Sequence, residues 1–551
     1  MQFLRFVQRV LRAAQPWTIS LAAHIVLLVI IQWLLLPSFD QQPFEVTIQL
    51  VEQPDGPRDT VAFEVPQSDA LRLAHTDSTP TVWANNPFIA PLQIELPEAG
   101  ETTASQPNVY SDKGAAHTAG SSADGDTRTA ATQRHQQVQR PAYVYRRFRH
   151  FTDDGMARLK TIERLHTVSF YLPHISNEGL SHLKTLPHLR HIQIFHSPRI
   201  SRHTITDAGM KHLRGLPHLE GIQLTNARIT DAGLGQLKGL RNLRYMGLEG
   251  TRITDAGLEH LQDLRHLKTL SLGNTRVTDD GLKHLHTLQQ LQELGLDDTR
   301  ITSAGLAHLN GLKNLSYLRL TNSQITDAGL NHLQQLHNLN SLCLNSTQIT
   351  DAGLSQLQGL TNLRSLLLDN TQTTDVGLNY VKQLTNLESI SLSKTQITDA
   401  GLSQLQALGK LRHLNMSHTQ MTDAGLVHLK GLINLETLNL NCEQIQDTGL
   451  VHLKGLTNLR TLDLSYTQVT GSGLHHLQEL TNLRQLILVQ CQITDNGLSA
   501  LENMAHLAYL NLWGTKVSSD GRTQLKAALP NCKIIVGSTP KLALPTGRAF
   551  D

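Results

Sequence analysis

The sequence predicts an α/β solenoid with one parallel strand and one short helix per repeat, preceded by a single transmembrane helix and a disordered linker. Three observations carry that prediction. A glycine recurs every 24 residues over most of the chain, an uncharged apolar run of twenty residues stands near the N-terminus, and the stretch between them holds no sustained apolar periodicity. At 551 residues the chain exceeds one ordinary globular core. Its aromatic content of 4% is also low for one. The net charge of +2 gives no global field that would favour nucleic acid or an acidic substrate.

The recurring glycine stands at Gly155, Gly179 and Gly209 and then at steps of 24 to Gly521; only the interval from Gly179 to Gly209 differs, at 30. Around Gly233 the text runs Ile229-Thr230-Asp231-Ala232-Gly233-Leu234, then Leu237, Leu240, Leu243, Met246, Leu248 and Thr251, and the other units repeat it closely. Leu234, Leu237 and Leu240 fall every third residue and give a short helix one apolar face. Thr230 or Asp231 suits the N-cap of that helix, and Asp231 complements its dipole. Gly233 lets adjacent coils approach. Met246 and Leu248 alternate with polar residues as in a half-buried strand, and Thr251 turns the chain. One strand and one helix cannot bury their own apolar face, so the roughly 16 units must stack.

These motifs resemble the leucine-rich-repeat family, with its LxxLxLxx(N/C)xL pattern, over roughly residues 150–537. The resemblance implies a horseshoe whose strands line a concave sheet. The Ile-Thr-Asp-x-Gly-Leu variant is similar to the cysteine-containing subclass of F-box adaptor proteins. Thr usually replaces that cysteine here, although Cys442 and Cys491 remain nearby. Similar Asp-Ala-Gly-Leu runs occur in bacterial envelope and internalin-like proteins, which implies binding without naming a ligand. Leu529-Pro530-Asn531-Cys532-Lys533-Ile534-Ile535-Val536 reads as the closing strand. Upstream, Tyr143-Val144-Tyr145-Arg146-Arg147-Phe148-Arg149-His150-Phe151 has two readings, an N-terminal cap or a contact with an anionic surface.

The apolar run Trp17 to Leu36 is long enough to span the hydrocarbon of a bilayer as a helix. Arg5, Arg9 and Arg12 precede it and no acid occurs before Asp40, so the positive-inside rule keeps the N-terminus cytoplasmic. Leu34-Leu35-Leu36-Pro37-Ser38 offers no cleavage pattern, which favours an uncleaved signal-anchor over a signal peptide. Ser20 and His24 lie four residues apart on one face of this helix. That pair, with the Phe44 to Pro54 stretch beyond it, resembles the start of TonB-type energy transducers. The resemblance implies that Ser20 and His24 face a proton-channel complex. Without it, His24 reads as a hydrated residue near the interface. The chain lacks that family's long Pro-Glu and Pro-Lys repeats.

The expected organisation is therefore a basic cytoplasmic N-terminus (1–16), a transmembrane signal-anchor helix (17–37), a disordered tether (38–140), the solenoid (141–537) and a disordered tail (538–551). The tether is rich in Ser, Thr, Ala and Gln between Gly114 and Gln139 and cannot bury a core. The expected location is the inner, cytoplasmic membrane, single-pass, with the solenoid periplasmic.

On the strands, the residues between the buried leucines are mostly small and polar, as at Ser271, Gly273, Ser341, Asn345, Asn415 and Ser417. The exceptions cluster at Tyr245, Glu249, Glu293, Asp297, Tyr317, Arg319 and Asp369, which are candidate ligand-binding residues for a protein partner. Scattered solvated side chains are the competing reading. Tyr509 and Trp513 form a second candidate, and the expansion from His196 to His203 is a loop on one face. Histidine recurs three residues after the glycine, as at His182, His212, His260 and His284. Neighbouring helices stand too far apart for two such rings to share a metal, so it reads as a polar helix-surface position. Cys343, Cys442, Cys491 and Cys532 form no CxxC pair, and four buried free thiols are expected. No phosphate loop, nucleophile elbow or HExxH occurs, and carboxylates that recur once per unit serve the repeat. The sequence thus predicts no enzyme, no cofactor, no metal and no nucleic-acid partner.

Overall fold

The computed structural model describes residues 151–162, 164–171, 174–196 and 205–537, together with the backbone of Ala142–Arg146. The expected anchor with Ser20 and His24, the tether, the middle of the six-residue expansion (197–204) and the C-terminal tail lie outside the described residues. Among the described residues, no helix is long and apolar enough to cross a membrane.

A single parallel sheet of 17 strands runs through this region, each strand pairing with its neighbours in sequence. The register steps by one repeat, so Tyr245 pairs with Thr269, Thr269 with Glu293, Glu293 with Tyr317, and Tyr317 with Ser341. Strands near the N-terminal end are long, with seven residues at Leu165–Tyr171 and five at His191–Phe195 and Gly221–Thr225. Those from Tyr245–Gly247 to Gln485–Ile487 have three residues each. Ala142–Arg146, within the basic aromatic stretch, adds the first strand, and Lys533–Gly537 adds the last.

The leucines fill one continuous core from Met156 to Cys532. In one unit Ile349, Leu354, Leu357, Leu360, Leu363, Leu366 and Leu368 are all at or below 1% exposure. Each is worth about 1.5–3 kcal/mol when fully buried, and the surface that buries them belongs largely to the two neighbouring units. The helical limb is short. It is α-helical in some units, as at Asp375–Val381, and a tighter 3-10 turn in others, as at Gly425–Gly431 and Gly473–Leu477. Leucines three apart suit that tighter winding.

The threonine of the Thr-Asp pair caps its helix in some units, as at Thr350, Thr374 and Thr398, whose hydroxyls accept the N–H two residues on. Thr230 stands at the N-cap position but makes no side-chain capping bond. The Asp231 carboxylate instead reaches the next unit, accepting the Thr254 backbone N–H at 2.8 Å and its hydroxyl at 2.6 Å. The same rung joins Asp207 to Thr230, Asp255 to Thr278 and Asp351 to Thr374. It also explains the glycine. A Cβ on Gly257 would lie 2.3 Å from Asp231 Oδ1, so the missing side chain is the space the rung occupies.

A further ladder binds unit to unit. Asn242, Asn338, Asn362, Asn434 and Asn482 each donate from Nδ2 to a carbonyl 25 residues earlier, at 2.8–2.9 Å. Beyond each strand the chain turns through a left-handed residue, such as Asn274, Asp298, Asn322 and Gly250, with φ from 53° to 69°. The threonine that follows seals the turn, as where Thr251 Oγ1 donates to the Leu248 carbonyl at 2.6 Å. Cys491 takes that threonine's place, and its thiol donates to the Leu464 carbonyl at 3.0 Å. All four cysteines are free and buried.

Candidate functional site

Each strand turns its alternate residues away from the leucine core, and register aligns them into rows about 4.8 Å apart. The rows bring Tyr245, Glu249, Glu293, Asp297, Tyr317 and Arg319 together across four consecutive strands, on or just beyond the first, third and fourth of them. Asp369 belongs to the strand segment two units beyond Tyr317. None of the seven is fully exposed.

They are bonded to their neighbours rather than free in solvent. Gln223, itself 1% exposed, is one hub. Its amide nitrogen donates to Glu249 Oε2 and to Thr225 Oγ1, both at 2.6 Å, and its carbonyl accepts the Tyr245 hydroxyl. Gly247 makes this possible, because a Cβ there would overlap the Gln223 amide. A second hub is the Arg319–Asp297 ion pair at 2.6 Å, with side chains only 12% and 16% exposed. Asp297 also accepts the Thr321 N–H at 3.0 Å. Here Gly295 clears the path: a Cβ there would stand 3.1 Å from the Arg319 guanidinium and 2.9 Å from Ser271 Oγ. Two outward glycines therefore let long polar side chains lie flat across the sheet.

Glu293 sits between these hubs and accepts the Thr269 hydroxyl at 3.2 Å. Burial pushes its carboxyl above the usual range, against the Thr269 bond and the Arg319 charge. Burial raises the Tyr245 phenol steeply, with Glu249 and Glu293 adding to it, and pushes Tyr317 up to about 12. Both phenols therefore stay neutral at physiological pH. Asp369 accepts the hydroxyl of Ser391 and the N–H of Ser393, the latter at 2.8 Å. Its carboxyl too is raised by burial, more than those bonds lower it. Ser271, between Gly247 and Gly295, is fully buried and its hydroxyl has no hydrogen-bond partner.

Sequence reading missed part of this face. Tyr171 and Phe195 stack at 4.4 Å near its N-terminal end, in register at the ordinary 24-residue step. Gln193 and Gln223 are buried, and Asp463 half-buried, polar residues in the same rows. The signal was their position 14 residues after the recurring glycine. Near the other end, Tyr509 and Trp513 share one strand, and Lys533 lies 6.0 Å above the Tyr509 ring.

A separate groove lies on the edge leading into the strands. It has about 490 Å³ and is lined by Glu388, Arg412, Glu436 and Arg460 with the ladder residues Asn434 and Asn458. Arg364 pairs with Glu388 at 2.9 Å, and Arg412 with Glu436. These alternating charges largely satisfy one another and are half-exposed, which makes them a modest inter-unit contribution. On the helical limb, His284 and His428 bond to Gln262 and Gln406 of the preceding units. Among the described residues, no group of three or more His, Cys, Asp or Glu side chains is placed to hold a metal ion.

Residues 234–474 match the family described as Leucine-rich repeat region, and residues 479–501 match Leucine Rich repeat. The chain carries a leucine-rich-repeat region, a kind of repeat that generally mediates protein–protein interaction. Among solved structures it is similar to two internalins of Listeria monocytogenes. One is 25% identical over 59% of this chain and 82% of its own, with a TM-score of 0.40. The other, an internalin C2, is 30% identical over 39% and 84%, with a TM-score of 0.31. A leucine-rich-repeat protein of Leptospira interrogans is 20% identical over 71% and 89%, with a TM-score of 0.42. No curated protein matches the chain in sequence.

Proposed function

We propose that this protein is a membrane-anchored interaction module whose outward sheet face, centred on Tyr245, Glu249, Glu293, Asp297, Tyr317, Arg319 and Asp369, recognises a protein partner in a bacterial cell envelope. One observation carries the reading. A run of large polar and aromatic side chains amid rows of Ser, Thr, Gly and Asn is held in place by glycines that carry no turn. Rigid, prearranged side chains lose little entropy on binding, which is what a recognition surface requires. The apolar run 17–37 would tether the solenoid to the inner membrane through the segment 38–140.

The test is photo-cross-linking in the native membrane, with a photoreactive phenylalanine in place of Ser365 on the outward face or of Val376 on the helical limb. Recurrent capture of one protein from Ser365 alone is expected. Capture only from Val376 would overturn the assignment of the face.

The spacing of Ser20 and His24 favours a second reading, a transducer subunit in which this helix couples to a proton-channel complex. His24→Leu separates the two. The interaction module keeps its function, whereas the transducer loses it with membrane insertion intact.

A further inference from the structure

Glu293 occupies an unusual position for a carboxylate. It stands on the first outward row with Tyr317 directly beside it in register, and with Tyr245 two strands away on the other side beyond Thr269. Burial and two neutral phenols flank it. The nearest cation, Arg319, is already committed to Asp297 at 2.6 Å. A carboxylate offers about four acceptor positions, and the Thr269 hydroxyl at 3.2 Å uses one of them weakly. Glu249, on the Gln223 hub, adds a second negative charge to the same patch. A separate observation points the same way: the Ser271 hydroxyl is fully buried, partnerless and aimed over Gly295 beside Arg319. Buried polar groups are ordinarily paired, so this floor has room for an added polar group beside Glu293.

Resting on the reading of the outward face as the recognition surface, we infer that the occupant is an extended basic segment of a partner protein, one Lys or Arg of which seats on Glu293 between Tyr245 and Tyr317. The chemistry fits in three respects. The cation finds an under-bonded carboxylate, the phenol faces offer cation–π contact, and the partly dry surroundings strengthen the pair relative to water. An acidic segment would meet Glu249 and Glu293 with like charge. A purely apolar one would bury both carboxylates without compensation.

The test titrates the full-length chain, in detergent, with labelled decalysine, decaglutamate and spermine at low ionic strength. Decalysine is expected to bind, with affinity falling as salt rises. Glu293→Gln should weaken it about ten- to hundredfold, as expected for loss of a charged hydrogen-bonded partner. Tyr317→Leu should weaken it less, and Glu388→Gln, on the remote edge, not measurably. Equal binding of decalysine by Glu293→Gln would overturn the inference, as would preference for decaglutamate or binding of spermine alone. A single cooperative melting transition in each variant, above the temperature of the titration, establishes that the fold is intact. The cross-linking at Ser365 keeps the two levels apart. A partner captured there whose yield is indifferent to Glu293→Gln leaves the recognition face standing and removes the basic occupant. Capture confined to Val376 removes both.

Discussion

At the scale of single residues, Glu293 carries a conflict between stability and recognition. Its folded carboxyl is raised by burial, so the fold favours the protonated form. The stabilisation that goes with that form is complete below the unfolded value of about 4.3 and is lost as pH rises through the raised folded value. At neutral pH the charge is therefore a net cost. Glu293→Gln should raise the melting temperature at pH 7 by about 1–3 °C, and by less at pH 4, measured by circular dichroism. A lower melting temperature at pH 7 would show that the carboxylate is held by stronger bonds than the Thr269 hydroxyl supplies. The candidate residues were legible in the sequence as departures from a background of Ser, Thr and Gly. Their bonding was not. Nothing in Gly247 or Gly295 as letters announces that Gln223 and Arg319 lie across them, because the partner stands 24 residues away and only register brings it there.

The repeating element is joined to its neighbours by an interaction that local reading of the cap does not reveal. Thr-Asp ahead of a helix is a capping signature, and the cap position is real. The carboxylate, however, bonds forward into the next unit, where an N–H and a hydroxyl await it on a rigid frame. Asp351→Ala removes both bonds to Thr374 and leaves a part-buried N–H unpaired, at a cost of about 1–3 kcal/mol in urea denaturation. Gly377→Ala places a Cβ 2.4 Å from Asp351 Oδ1 and 2.8 Å from Leu354 Cδ1, at a similar cost from overpacking. The double variant should lose less than the two single losses added, because without the carboxylate part of the clash is gone. Strict additivity would mean that glycine and aspartate do not share that space. Acid acts on the same device at Asp447. Burial raises its carboxyl, but the hydroxyls of Ser472 and Thr470 and two backbone N–H groups bring it below the usual range. Its contribution is thus present above the ordinary aspartate value of about 3.9 and is lost as pH falls through the lower folded one. Asp447→Asn should accordingly flatten the fall of melting temperature in that acid window.

Across the whole molecule, the array is a chain of nearest-neighbour interfaces, and its weakest interface governs where it opens. The rung is thinned at Ser303, whose hydroxyl accepts the Thr326 N–H at 3.0 Å in place of a carboxylate. It is absent at Gly471, where a Cβ would fall 2.1 Å from the Gly497 Cα. Hydrogen exchange should therefore show the units beyond Gly471 opening at lower free energy than those between Asp327 and Asp423. Uniform protection through Leu512 would mean that leucine packing alone sets cooperativity.

What the sequence determined by itself is the repeat, its period, the inward leucines and the alternation of outward residues, because each follows from spacing along the chain. The tertiary structure alone decided which residues meet between units: that aspartate bonds forward, that glycine is the space for it, and that Tyr245, Glu293 and Tyr317 fall in one row with Thr269 between. The reason is geometric. Contacts within a unit are fixed by three or four residues of local winding, whereas contacts between units depend on the register of parallel strands, which no short stretch of sequence encodes.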